Sequence, residues 1–228
     1  MLVLACVSVF ATDANAQRRS SQNYPARSNM RLEIHNRMGS ITIETWDRQT
    51  IQIITDRDNP PAQFTPQISG DTLMIDLRGT QNSGAGAVNF QIRVPVNSRI
   101  DVQTMSGDIT VRGVQSESVS AEVTTEGDVQ LMGIRASTVM AKNVMGLIVF
   151  EGELMSGGNY RFMSTMGQMH LRIPSNSGFN LTALTRSLNL GDFAHHFSAP
   201  GRRVTGSVGN GGATLSITNT GGSVSFMR

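Results

Sequence analysis

The stretch MSGDITVRGV, residues 105–114, places apolar Ile109 and Val111 at alternate positions after Gly107. Twenty residues on, TEGDVQLMGI, residues 125–134, repeats the beat with Val129 and Leu131 after Gly127. Aligned on the glycine, the pattern runs through the chain. Gly39 is followed by Ile41 and Ile43, Gly146 by Ile148 and Phe150, Gly167 by Met169 and Leu171, and Gly222 by Val224 and Phe226. Apolar residues also stand seven and five places before the glycine: Leu32 and Ile34, Ile100 and Val102, Val139 and Ala141, Tyr160 and Phe162, Leu215 and Ile217. A small polar residue stands three before it: Asn36, Thr104, Asn143, Ser164 and Asn219. Val119 and Ala121 sit one place further from Gly127 than the pattern asks, and in residues 179–190 Arg186 takes the glycine's place.

Alternation on both sides of a glycine predicts strand, turn, strand. A near-constant period predicts stacked units, none of which can bury its apolar side alone. No stretch carries a helical 3.6-residue period. The fold class expected is all-β: a parallel β-solenoid, like a single-stranded β-helix, with coils of about 20 residues. Gly39, Gly107, Gly127, Gly146, Gly167 and Gly222 are its structural turn residues, placed where the chain turns sharply and a Cβ would clash. A second echo links RVPVNSRIDV, residues 93–102, with RIPSNSGFNL, residues 172–181. Pro95 and Pro174 cannot donate to a ladder, so they mark corners between coils.

The start of the chain reads as an export signal. Residues 2–11 are an apolar run too short to span a bilayer, and Ala14-Asn15-Ala16 fits the small-x-small cleavage rule, although no Lys or Arg precedes the run. Residues 1–16 are assigned as signal peptide, 17–29 as a flexible leader and 30–228 as one solenoid domain, with 30–80 its irregular N-terminal cap. Cys6, the only cysteine, leaves with the signal, and Leu4 stands where a lipidated cysteine wants a small residue. The mature chain then has no thiol chemistry and no cysteine metal site. Without Asp13 it carries 19 basic and 16 acidic residues, net +3, scattered singly rather than in the stripe a nucleic-acid groove needs.

The residues GSITIETWDR (39–48), SGDITV (106–111), EGDVQL (126–131), RIPSNSGFNLTALT (172–185) and LSITNTGGSVSF (215–226) resemble the bacterial putative-adhesin family of β-strand-repeat proteins, a domain of unknown function. The resemblance covers nearly the whole mature chain. It implies an exported β-solenoid at the cell envelope and supplies no catalytic residues. Arg186 departs from its glycine turn.

Asp108 and Asp128 follow equivalent glycines and should stack, as a glycosidase acid–base pair might, but Asp is also a common turn residue. Met163, Met166, Met169 and His170 form a thioether-rich run suited to copper(I), yet in a strand they do not face one way. Met38, Met145 and Met166 precede corner glycines and read as a stacked, gap-filling column. His195-His196, near Asp192, Arg202 and Arg203, reads as exposed loop before metal or anion site. Trp46 reads as packing over the cap. No catalytic, cofactor or metal residue is assigned. The expectation is a non-enzymatic solenoid presenting a binding or adhesion surface to an envelope or extracellular protein or glycan, in the periplasm, at the cell surface or outside. The alternatives are a polysaccharide-binding or polysaccharide-cleaving solenoid using Asp108 and Asp128, or a periplasmic metal binder.

Overall fold

The computed structural model describes residues 19–58, 64–79, 86–197 and 201–227. Its regular elements are strands, apart from one 3₁₀ turn at Gly191–His196. The signal-peptide expectation falls on residues 1–16, outside the described ones. β1 (Arg19–Pro25) lies in the segment expected as a flexible leader; it pairs antiparallel with β4 (Thr50–Arg57).

Alternation decides which side chains go inward. β2 (Arg31–His35) and β3 (Ile41–Trp46) flank Gly39; β8 (Arg99–Ser106) and β9 (Ile109–Arg112) flank Gly107. β10 (Gln115–Glu126) runs up to Gly127, and β11 (Val129–Arg172) passes Gly146 and Gly167 without a break. Leu32, Ile34, Ile41, Ile43, Ile109, Val111, Val129 and Leu131 are all fully buried. Each such side chain contributes roughly 1.5–3 kcal/mol by leaving water. Neighbouring repeats pair in parallel and in register. Val119 sits beside Val139 and Ile109 beside Val129, each 20 residues on, and Ile100 sits beside Val119, 19 on. The extra residue before Gly127 is taken up by a register shift between Glu122 and Glu126. All fourteen strands belong to one sheet, which curls around the core in a solenoid-like shape.

The stacking order departs from the sequence order at both ends. β6 (Thr72–Asp76) lies on β2 and β7 (Val88–Pro95) on β3, so residues 72–95 stack outside residues 31–46. Residues 31–46, expected within an irregular cap, are therefore a regular repeat whose other neighbour is β8 and β9. At the far end β14 (Ala213–Met227) lies between the 159–172 part of β11 and β12 (Phe179–Asn189). The two proline echoes explain this. Ser98 N–H donates to Pro95 O and Ser177 N–H to Pro174 O, both at 3.0 Å, closing the same four-residue turn. Each turn steps over one repeat position, and a repeat from near the chain terminus fills the slot.

Antiparallel strands cover the outer ladders: β4 on β7, β5 (Gln67–Ser69) on β6, and β13 (Arg203–Val208) on β12. This is how a stack of parallel strands avoids offering a long bare edge. Inside, Phe150 packs on Phe162 and Tyr160 at 5.1 and 6.1 Å between ring centres. The buried Tyr160 hydroxyl donates to Ala136 O and accepts from Met155 N–H, both at 2.7 Å, and burial raises its pKa. Phe193, from the 3₁₀ turn, closes one end of the core with edge contacts to Phe179 and Phe226 at 5.2 and 5.9 Å.

Candidate functional site

The corner glycines lie one above another. A Cβ on Gly107 would meet the Gly39 carbonyl oxygen at 2.5 Å, one on Gly127 that of Gly107 at 2.2 Å, and one on Gly146 that of Gly127 at 2.4 Å. Gly167 backs on Gly146 O at 2.1 Å and Gly222 on Gly167 O at 1.6 Å. Gly39, Gly107, Gly127 and Gly146 also hold positive φ, between +113° and +148°. The small polar residues close the same corner from inside. Asn143 Nδ2 donates to Gly127 O at 3.2 Å and Asn219 Nδ2 to Gly167 O at 2.8 Å, while Asn36 Nδ2 reaches Val88 O at 2.9 Å. Arg186 escapes the requirement because β12 takes a shorter path: between the pairs Thr185–Asn219 and Ser187–Ser223 it alone opposes three residues of β14.

Asp108 and Asp128 do stack, and the stacking gives each a structural task. Asp108 Oδ1 accepts Asp128 N–H, and Asp128 Oδ1 accepts Leu147 N–H, both at 2.8 Å. Asn89 Oδ1 does the same for Ser40 N–H at 2.8 Å. Asn89, Asp108 and Asp128 thus each offer one oxygen to the turn of a neighbouring repeat.

The methionines separate. Met169 is fully buried, Met163 half-buried and Met166 59% exposed, so the run with His170 does not converge. Met38 and Met145 are 51% and 38% exposed. The gap-filling role expected for Met38, Met145 and Met166 is therefore wrong: the corner turns them out of the core. His195 and His196 are exposed on the 3₁₀ turn with rings 3.9 Å apart. Among the described residues, no group of three or more His, Cys, Asp or Glu is placed to hold a metal. Trp46 closes the β3–β4 turn, its Nε1–H donating to Thr50 O at 2.7 Å, with the Arg48 and Arg93 guanidiniums over its ring at 5.2 and 5.9 Å.

The chain carries a second glycine column that alternation alone does not mark. Gly113, Gly133 and Gly152 each follow a corner glycine by six residues, a regularity already visible in the two opening stretches. At this second corner a Cβ on Gly133 would find nothing closer than 3.8 Å, whereas one on Gly152 would strike Ile134 O at 2.2 Å. Bare backbone here lowers the surface into a cleft of about 700 Å³. Two ion pairs flank it, Arg172 Nη1 to Glu151 Oε2 at 2.9 Å and Arg135 Nε to Glu153 Oε2 at 3.5 Å. Its end is built by Pro174, Asp192, Phe193 and Met227, which meet because β14 fills the slot beside β11. Both pairs are well solvated, so each is worth about 0–1 kcal/mol and can exchange for a ligand's charges at little cost.

A one-sheet stack with parallel, in-register repeats, a glycine corner and an open charged cleft defines an all-β, solenoid-like repeat protein. The chain belongs to the Toastrack DUF4097 family, whose model matches residues 33–226. The chain is similar to a putative cell adhesion protein from Clostridium sporogenes ATCC 15579, at 10% identity and TM-score 0.50, over 91% of this chain and 98% of that one. A putative adhesin from Bacteroides fragilis NCTC 9343 is similar at 9% identity and TM-score 0.39, over 93% and 99% of the two chains. A putative adhesin from Parabacteroides distasonis ATCC 8503 is similar at 11% and 0.38, over 92% and 97%. At these identities the first likeness speaks for the fold alone. No curated protein matches the chain. Among the described residues, no helix is long and apolar enough to cross a membrane.

Proposed function

We propose that this chain is an exported, non-enzymatic parallel β-solenoid with coils of about 20 residues that presents a binding surface in the bacterial cell envelope. The ligand, a protein or a glycan, sits in the cleft over Gly133 and Gly152. The observation that carries this reading is the cleft: about 700 Å³, lined in part by Gly133 and Gly152 and flanked by two exchangeable Arg–Glu pairs. Such a surface offers hydrogen bonds and swappable charges along an extended ligand. The name of the similar solved structure from Clostridium sporogenes points the same way. Export rests on the apolar run at residues 2–11 and on Ala14-Asn15-Ala16.

The enzymatic alternative has less support, because both Asp108 and Asp128 accept a backbone N–H of the next repeat. The experiment is a glycan and envelope-protein binding array run with wild type and with Glu151→Ala/Arg172→Ala, alongside a reducing-sugar assay. Binding that the cleft variant loses, with no sugar released, supports the proposal. Glycan cleavage that Asp108→Asn/Asp128→Asn abolishes overturns it.

A further inference from the structure

Five of the eight large hydrophobic side chains exposed among the described residues are methionines: Met38, Met105, Met145, Met166 and Met227. Three of them stand immediately before a corner glycine, a place where the fold asks for nothing apolar. Ser106, Glu126 and Gly221 occupy the same place in other repeats. Packing therefore does not explain the thioethers.

Met145 and Met166 occupy this place in consecutive repeats. The glycines that follow them are in direct contact, the Cβ position of Gly167 lying 2.1 Å from Gly146 O. Equivalent side chains on adjacent parallel strands are about 4.8 Å apart. Two metal–sulfur bonds of about 2.3 Å each span nearly the same length in line. The third repeat in the row places Glu126 in register with Met145, which adds a carboxylate one strand away and favours a cation. On the other side Gly221 leaves Met166 room: a Cβ there would come within 3.3 Å of Met166 Cγ. The surface beside it is a depression of about 490 Å³ bordered by Leu147, Gln168 and Ser223. Met38 lacks the arrangement, since its in-register neighbour is Ser106.

We propose that Met145 and Met166 form a two-thioether site for a soft monovalent cation of the copper(I) class. Thioethers select soft cations over magnesium or calcium, and the site needs neither histidine nor cysteine. It is independent of the cleft, which lies at the other corner of the repeats.

The test uses the full chain with ¹³C-methyl methionine and redox-inert Ag(I) as the probe. The Met145 and Met166 methyl signals are expected to move together, ahead of Met38, Met105 and Met227, and to saturate at one Ag(I) per chain. Met145→Leu, at an exposed position, should keep the wild-type melting temperature, remove most of the Met166 shift and weaken binding about tenfold or more. Met38→Leu should leave both signals unchanged. Parallel movement of all exposed methionines, a Met166 shift that survives Met145→Leu, or no shift at all overturns the site.

Discussion

Replacing Gly127 with alanine tests the corner column with one methyl group. The new Cβ would lie 2.2 Å from Gly107 O and 2.7 Å from Gly107 C, where ordinary contact begins near 3.4 Å. The overlap of about 1.2 Å is with backbone, so no rotamer change relieves it. φ at Gly127 is +148°, a region that L side chains rarely adopt. Backbone strain of this kind costs roughly 1–3 kcal/mol, and overlap with a fixed neighbour brings the total to roughly 3–5 kcal/mol, the upper range for one substitution. For a domain of this size that is a fall in Tm of roughly 6–20 °C. Two companions separate the causes. Gly133→Ala meets nothing within 3.8 Å but holds φ +63°, so it bears the conformational cost alone, about 1 kcal/mol. Gly79→Ala has open space and no positive φ, and should be near neutral. Thermal unfolding followed by circular dichroism should rank Gly127→Ala well below Gly133→Ala, with Gly79→Ala at wild type. Equal melting temperatures for Gly127→Ala and Gly133→Ala would refute the stacked corner.

Three further outcomes are expected. Asp108→Ala removes the acceptor of Asp128 N–H and should cost about 1 kcal/mol in chemical denaturation, while Asp108→Asn keeps an acceptor oxygen and should cost little. Phe193→Ala uncovers Phe179 and Phe226 at the core's end and should cost about 3–5 kcal/mol by the same measurement. Arg78's side-chain hydrogen bond holds the Asp76 carboxyl down at about 2, and Arg78→Ala should return it toward the ordinary value in an NMR titration. The sign follows from the lowered value: the pair's stabilisation is present above the unfolded carboxylate pKa and is lost as pH falls toward about 2. Exposure of both partners keeps that contribution small.

The strands and the corner were legible because burial acts on every second residue and leaves its mark at fixed distance from each glycine. Arg186 and the extra residue before Gly127 were visible as exceptions, and they became a shortened corner and a register shift. The stacking order was not legible. Parallel neighbours with equivalent side chains are nearly interchangeable by pattern, and only the steps over Pro95 and Pro174 decide which repeat lies beside which. Their echo is plain in the sequence, but four-residue turns carry no label saying that they skip a position. The cleft followed the same logic. Gly113, Gly133 and Gly152 keep the period, but what they expose depends on Phe193 and Met227 arriving from distant parts of the chain. The exposure of the methionines is not legible because alternation says which face a strand residue takes and says nothing at a corner.

The order of the last three repeats supports both the fold and the cleft, and cysteine cross-linking tests it directly. Ser216 lies in register between Arg161 on β11 and Thr182 on β12, with the side chains outside the core. Neighbouring strands about 4.8 Å apart fall within the reach of a disulfide, and positions two strands apart, about 9.6 Å, do not. In a Cys6→Ser background, Arg161→Cys/Ser216→Cys and Thr182→Cys/Ser216→Cys should each oxidise within one chain, and Arg161→Cys/Thr182→Cys should stay reduced. Ready cross-linking of the Arg161 and Thr182 pair, with the Ser216 pairs reduced, would contradict the inserted repeat and the cleft built on it.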